Sequence, residues 1–350
     1  MGKITFDNVS NGYFRPTVSM VMPLYNAEDY VGEAIESILS QTFNNWELVV
    51  VNDGSTDSSP RIVEKYAQND HRIKLIHMPQ PSGSAYQPRK TAIISASADL
   101  VAPLDADDFI EATYLEQLLE RHSETKATLI YPTMYRPSNG TWKLFIPSSE
   151  EIRQLVTRGS DIVKFTIDGW NINCNGGLIE KALYLEVYSR YDSNLSDTFD
   201  DEFLTRQLLY HASIVAFSPA KYFYRINETS ITRAKSLKIF DMLKSNIKIF
   251  DFVVKHFPIL SEEYTLIHRH LFHGIFDALR VINRYDFGQK ELSSVYELMQ
   301  ENINLLDWHI LKEQESAIYF YFLRLMKSHL QIARYPLKWG DDLRSKFKDQ

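Results

Sequence analysis

The sequence predicts an α/β fold: a mostly parallel sheet flanked by helices, followed by an α-helical carboxyl-terminal region. Three observations lead there. Short β-rich runs alternate with helix-period segments through the amino-terminal third. One of those runs, Leu48-Val49-Val50-Val51, is uninterruptedly apolar, which suits a parallel strand buried on both faces. Beyond Ala234 the apolar residues switch to steps of three and four, the signature of amphipathic helices.

Residues 17–22 read as the first strand. A helix over 28–39 follows, with Val31, Ala34, Ile35, Ile38 and Leu39 on one face. Strand 46–52, helix 58–68, strand 73–77 and helix 87–98 continue the alternation. Strand 100–104, a helical pattern from Ala112 and strand 128–131 complete it. Past Thr133 the order loosens, and short strands at 142–146, 213–217 and 222–225 mix with helices and loops. Phe240, Leu243, Ile247, Phe250 and Val254 then mark one helical stripe, Leu271, Ile275, Leu279 and Ile282 a second, and residues 313–332 a third run. The expected organisation is an extension over 1–15, an α/β domain over 16–233 and a helical domain over 234–350.

With 350 residues the chain can bury a sizeable core. Its 44% hydrophobic and 24% charged residues are ordinary for a water-exposed globular protein. A net charge of −7 gives no global field that would favour nucleic acid. Cys174 is the only cysteine, so internal disulfides and cysteine metal clusters are excluded. The start, Met1-Gly2-Lys3-Ile4-Thr5-Phe6, lacks the apolar run of a secretory signal, and Phe6 stands where a myristoylation signal has Ser or Thr. No run approaches the roughly 18 apolar residues that span a bilayer. The chain reads as cytoplasmic, and its Asn139-Gly140-Thr141 and Asn227-Glu228-Thr229 sequons carry no weight.

Three carboxylates crowd the end of the fourth strand, in Leu104-Asp105-Ala106-Asp107-Asp108. Carboxylates so placed repel one another unless a cation lies among them, and strand ends are where α/β sheets bind ligands. A helix cap at Asp107 or Asp108 would explain part of the pattern equally well. The first strand ends in Pro23-Leu24-Tyr25-Asn26 and the second in Asn52-Asp53-Gly54-Ser55-Thr56-Asp57, on the same sheet edge. Tyr25 could stack on a flat base and Asp53 accept a hydrogen bond from a ring N–H; a tight turn and helix cap is the plainer use of the second loop.

Residues 18–59, with Pro23-Leu24-Tyr25-Asn26 and Asn52-Asp53-Gly54-Ser55-Thr56-Asp57, resemble the opening of a family 2 glycosyltransferase of the GT-A fold. The resemblance extends over 17–233 and includes the acidic DxD motif of Asp105 and Asp107. It implies an inverting, nucleotide-sugar-dependent enzyme of bacterial polysaccharide type. Pro23 and Tyr25 match the base pocket, Asp53 the carboxylate that reads the base (most often uracil), Asp105 the ribose and metal sphere, and Asp107 the direct metal ligand. The oxygen ligands suit Mn²⁺ or Mg²⁺. Gly83 and Arg89 match positions ahead of the third helix, where Lys90 replaces the usual Asn.

Phe199-Asp200-Asp201-Glu202-Phe203-Leu204-Thr205-Arg206 resembles the family's ED-xx-[FL]-xx-R segment, with Phe199 in place of Glu. Register on Phe203 and Arg206 makes Asp200 the catalytic base, or Asp201 if the register slips by one. An acidic helix start serving the helix dipole is the plainer reading. Trp170, Asn175, Gly176 and Gly177 fall where the family binds acceptor. Tyr224 to Arg233 resembles its YRxHxxSIT segment, with Asn227 for His, and implies diphosphate contacts from Arg225, Ser230 or Arg233.

The expected partners are therefore a nucleotide-sugar donor, with a UDP-sugar favoured, and a saccharide or lipid-linked saccharide acceptor. Two rivals differ in class. A sugar-nucleotide pyrophosphorylase would need a Gly-rich amino-terminal loop that Pro23 to Asn26 replaces; a non-catalytic GT-A scaffold would tolerate Phe199 and Asn227. The helical domain could pack on the catalytic one, pair two copies, or place the chain at the inner face of a membrane through the mildly basic tail of Arg334, Lys338, Trp339, Arg344, Lys346, Phe347 and Lys348. His268, His270 and His273 lack the spacing and acidic neighbour of a zinc site.

Overall fold

A computed structural model describes residues 15–146, 154–167, 176–191, 199–226, 235–285, 287–288, 290–317, 320–321 and 324. The chain opens β1 (Val18–Leu24), α1 (Val31–Leu39), β2 (Trp46–Asn52), α2 (Ser59–Asn69), β3 (Ile73–His77), α3 (Tyr86–Ser95) and β4 (Leu100–Pro103). Then come β5 (Phe109–Ile110), α4 (Tyr114–Thr125), β6 (Leu129–Ser138), β7 (Thr141–Ile146), β8 (Val156–Thr157) and α5 (Gly159–Ile167). β9 (Leu178–Glu180), α6 (Lys181–Tyr191), α7 (Asp200–His211) and β10 (Val215–Phe223) complete the α/β part.

Among the described residues these strands form one mixed sheet, ordered β3-β2-β1-β4-β9-β6-β10-β5, with β7 on β6 and β8 on β10. β3, β2, β1 and β4 pair in parallel, as do β6 and β10. β9 joins the two groups antiparallel to both β4 and β6. β5, β7 and β8 are antiparallel additions. The α/β alternation expected for the first four strands holds within three residues, the largest differences being the later start of α1 and the earlier end of α3. The tiny β5, β8 and β9 were not foreseen, because two or three residues carry no periodicity. The strands expected at 213–217 and 222–225 are one strand, β10, whose pairing shifts between Phe217 and Lys221 around Pro219, a residue that cannot donate to the ladder.

β1 and β2 are buried along their whole length and pack against α3, while α1 buries Val31, Ala34, Ile35 and Ile38. Val31, Ile35 and Ile38 each contribute roughly 1.5–3 kcal/mol of burial free energy. Gly177, which enters β9, shows why a glycine is needed there. Its φ is +100°, and a Cβ would lie 2.1 Å from the Ile130 carbonyl oxygen.

The described residues of Met1–Ile162, Asn171–Ser196 and Asp200–Asn227 form one compact unit, and those of Val163–Trp170, Asp197–Phe199 and Glu228–Gln350 a second. The boundary expected at 233 lies outside the described residues. The second unit holds α8 (Asp241–His256), α9 (Glu262–Arg284), α10 (Ser293–Asn304) and α11 (Trp308–Gln314). Its core includes Phe240, Leu243, Leu271, Phe272, Ile275 and Leu279. The α9 stripe is the expected one; on α8 the buried face turns to Ile249, Phe252 and Val253 and leaves Val254 exposed. Most of the run expected at 313–332, and the basic tail, lie outside the described residues.

Candidate active site

The carboxyl ends of the parallel strands hold the sequence-singled residues of the first unit. After β1 the chain turns through Tyr25, 59% exposed, and Asn26, at φ +45°. The loop after β2 is knitted to it. Asp53 N–H donates to the Leu24 carbonyl at 2.9 Å, and Thr56 N–H donates to Asn26 Oδ1 at 2.8 Å. Asp57 accepts from Glu28 N–H at 3.0 Å, while Ser58 N–H donates to Glu28 Oε2 at 2.9 Å. The polar residues that suggested a turn and cap thus also fasten two strand ends together, which fixes Tyr25 relative to Asp53.

Asp53 is buried, and both of its carboxylate oxygens accept from Ser82, from N–H and from hydroxyl, each at 2.8 Å. Ser82 was not anticipated from the sequence. Its bonds hold the segment carrying Gly83, whose φ is +81°, against the β2 loop. Each carboxylate oxygen keeps a second lone pair for a ligand N–H.

Arg89, in α3, is almost fully enclosed and donates from Nη2 to Asp105 Oδ1 at 3.0 Å. Lys90 instead places its ammonium 5.9 Å from the Tyr188 ring centroid. Asp107 is partly exposed on the acidic loop, as a ligand-holding carboxylate must be.

Asp108 behaves differently. It is 1% exposed and accepts from the Tyr222 hydroxyl at 2.6 Å and from Arg225 N–H at 2.7 Å. Burial, then the Asp107 and Asp105 charges, push its carboxyl well above the ordinary range, against those two hydrogen bonds. Asp108 therefore ties the acidic loop to β10. Its partners lie more than a hundred residues away, so no local pattern could have named them.

α7 begins with Asp200 and Asp201. Asp200 is fully buried, whereas Asp201 is partly exposed. Burial and the Glu202 and Asp105 charges raise the Asp201 carboxyl to about 7, with Arg89 pulling the other way. The first turn of α7 therefore shares the electrostatic field of the Arg89–Asp105 pair. Arg206 is enclosed and pairs with Glu202 Oε2 at 2.6 Å, so it anchors the helix start.

Resemblance in sequence and fold agrees with this arrangement. Residues 19–183 match the model of the family described as Glycosyl transferase family 2. Residues 19–183 thus carry a glycosyltransferase family 2 segment. It is 27% identical over 224 residues to glycosyltransferase GlyG of Streptococcus pneumoniae, covering 62% of this chain and 73% of GlyG. It is 30% identical over 230 residues to the putative glycosyltransferase EpsH of Bacillus subtilis, covering 65% of each chain. The crystal structure of S. aureus TarS 1-349 in complex with UDP-GlcNAc shares the fold, with a TM-score of 0.61, 18% identity and coverage of 84% of this chain and 82% of that one. The relatives in sequence are glycosyltransferases, and they support the same class of enzyme for this chain.

Any cation at the acidic loop would fall to Asp105 and Asp107, since Asp108 is spent on Tyr222 and Arg225. Among the described residues no group of three or more His, Cys, Asp or Glu side chains could hold a metal. Two carboxylates still fit Mg²⁺ or Mn²⁺ where phosphate oxygens and water supply the other positions. Gly176 and Gly177 lie at the entry to β9, where Gly177 N–H donates to the Tyr114 hydroxyl at 2.8 Å. Pro23 lies within β1, paired with Val51. The Arg225 guanidinium is engaged by Glu33 at 2.5 Å and by the Phe109 ring, 4.8 Å from its centroid. Trp170, Asn175, Asn227, Ser230 and Arg233 lie outside the described residues.

In the helical unit the three histidines diverge. His268 Nδ1 accepts from Asp307 N–H at 3.1 Å, His270 Nε2 meets Asn246 Oδ1 at 2.8 Å, and His273 Nε2 meets Glu315 at 3.3 Å. No described helix is long and apolar enough to cross a membrane.

Proposed function

We propose that this chain is a family 2 enzyme that transfers a sugar from a UDP-sugar, with inversion, to a hydroxyl of a glycan or lipid-linked saccharide. The observations that support the reading link five segments around the carboxyl ends of the parallel strands. The β1 and β2 loops are fastened to each other, Arg89 is paired with Asp105, and the start of α7 lies in the field of that pair. The UDP-GlcNAc and UDP complexes of TarS support a uridine nucleotide.

In this reading Tyr25 stacks on the base, while Asp53, oriented by Ser82, accepts from a ring N–H. Asp105, held by Arg89, faces the ribose. Asp105 and Asp107 would hold Mn²⁺ or Mg²⁺, which supplies positive charge beside the departing diphosphate. A carboxylate opening α7 takes the acceptor O–H proton as that oxygen attacks the anomeric carbon and the bond to diphosphate breaks on the opposite side. The motif register gives this role to Asp200. Asp201 is the second candidate, because its partial exposure and raised affinity for protons suit a base working near neutral pH.

Nucleotide release from UDP-GlcNAc, UDP-glucose and UDP-galactose, measured with Mn²⁺ and with EDTA, tests the proposal. Release from at least one donor, abolished by EDTA, is expected. No release and no UDP binding in the presence of Mn²⁺ would remove it.

A further inference from the structure

Immediately after the acidic loop, the sheet presents an aromatic face. Phe109 of β5 is in register with Phe223 of β10, and Phe223 with Tyr135 of β6. The Phe109 and Phe223 rings are stacked at 4.7 Å and 6°, and Tyr135 continues the row 5.6 Å from Phe223. Trp142 of β7 stands across this row, nearly perpendicular to Phe109 at 5.3 Å and to Phe223 at 5.2 Å. The neighbouring positions Ile110, Tyr222 and Met134 point to the opposite face and are buried at 3%, 0% and 3%. The aromatic row is only half-buried, and Trp142 keeps 39% exposure. The core is therefore filled from the other side of these strands, and the aromatic row lies on the face turned away from it.

We propose that this face is a saccharide-stacking subsite that holds the acceptor chain, a role that rests on the transferase reading above. Three features select a carbohydrate. Phe109, Phe223 and Tyr135 spend their ring faces on one another and form a base, and Trp142 lies across that base with an exposed indole that suits the apolar face of a pyranose and leaves the sugar hydroxyls free at its edges. A charged hydrogen-bonding pair, Arg225 with Glu33, borders it, with the Arg225 guanidinium over Phe109. The face also begins two residues from Asp107, so chain geometry keeps the two Cα atoms within about 7 Å. Four adjacent strands give the face a width of about 14 Å, which suits a short oligosaccharide better than one sugar. The subsite thus leads a glycan toward the acidic loop, and Trp142 is its most exposed wall.

Isothermal titration of the full chain with chitotetraose, cellotetraose and mannotetraose tests this directly. At least one tetrasaccharide should bind the wild type, Trp142→Ala should weaken it about tenfold or more, and Trp142→Phe should stay within about threefold. UDP affinity in the presence of Mn²⁺ should be the same in all three proteins, which also reports that Trp142→Ala is folded; Tyr135→Ser provides a second variant on a different strand. Failure of every tetrasaccharide to bind the wild type, or equal binding by Trp142→Ala and Tyr135→Ser, would overturn the subsite. Failure of UDP binding alone would count against the donor reading and leave the saccharide result standing.

Discussion

The two edges of the sheet treat buried acid in opposite ways. At the amino end of β2, Glu47 is 1% exposed and fully provided for. It accepts from Ser19 Oγ at 2.5 Å, Lys74 Nζ at 2.6 Å and Ser97 N–H at 2.5 Å. Burial opposes its charge, yet the bonds from Lys74, Ser19 and Ser97 prevail and hold the carboxyl below its ordinary value. At the other edge Asp105 pairs with Arg89, burial and the charges of Asp107 and Asp105 push Asp108 upward, and burial with the charges of Glu202 and Asp105 pushes Asp201 upward. One edge uses charge to hold strands together. The other holds charge in an unfavourable state that a cation would relieve, and such perturbed groups gather where ligands act.

The largest expected effect is on turnover at the acidic edge. Asp107→Asn should lower transfer at least about 100-fold without loss of melting temperature. Asp200→Asn and Asp201→Asn separate the two candidates for the base: the true base loses about 100-fold or more in kcat while UDP affinity holds, and its neighbour does not. Equal, mild losses in both would place the base elsewhere.

The Glu47 edge should answer in stability instead. Glu47→Gln is expected to destabilise the fold by about 2–3 kcal/mol, read by urea unfolding, with kcat of the remaining folded protein unchanged. The folded-state value of Glu47 is depressed, so its contribution is present above 4.5 and lost as pH falls below that. The smallest effect concerns Asp201, with the opposite sign. Between 3.8 and about 7 the folded protein holds a proton there that the unfolded chain releases, so this group makes cation-free stability fall as pH rises through that window. Asp201→Asn should flatten the fall in melting temperature, and Mn²⁺ with UDP should raise that temperature above pH 7. An unchanged slope in the variant would break the contrast between the edges.

Local sequence determined a good deal. The apolar run of β2, the 3.6-residue stripe of α1 and the stripe of α9 are patterns that solvent exclusion alone converts into buried faces, and the strand-end motifs carried the family. Tertiary structure decided what neighbours in the chain cannot. Asp108 finds Tyr222 across 114 positions, Asp53 finds Ser82, and four short stretches assemble the Phe109, Phe223, Tyr135 and Trp142 face. β5 and β9 exist only because other strands lie beside them, since two or three residues gain too few hydrogen bonds to hold an extended form alone. Pairing between distant segments has no period to read, and it is this pairing that turns a list of acids into a site.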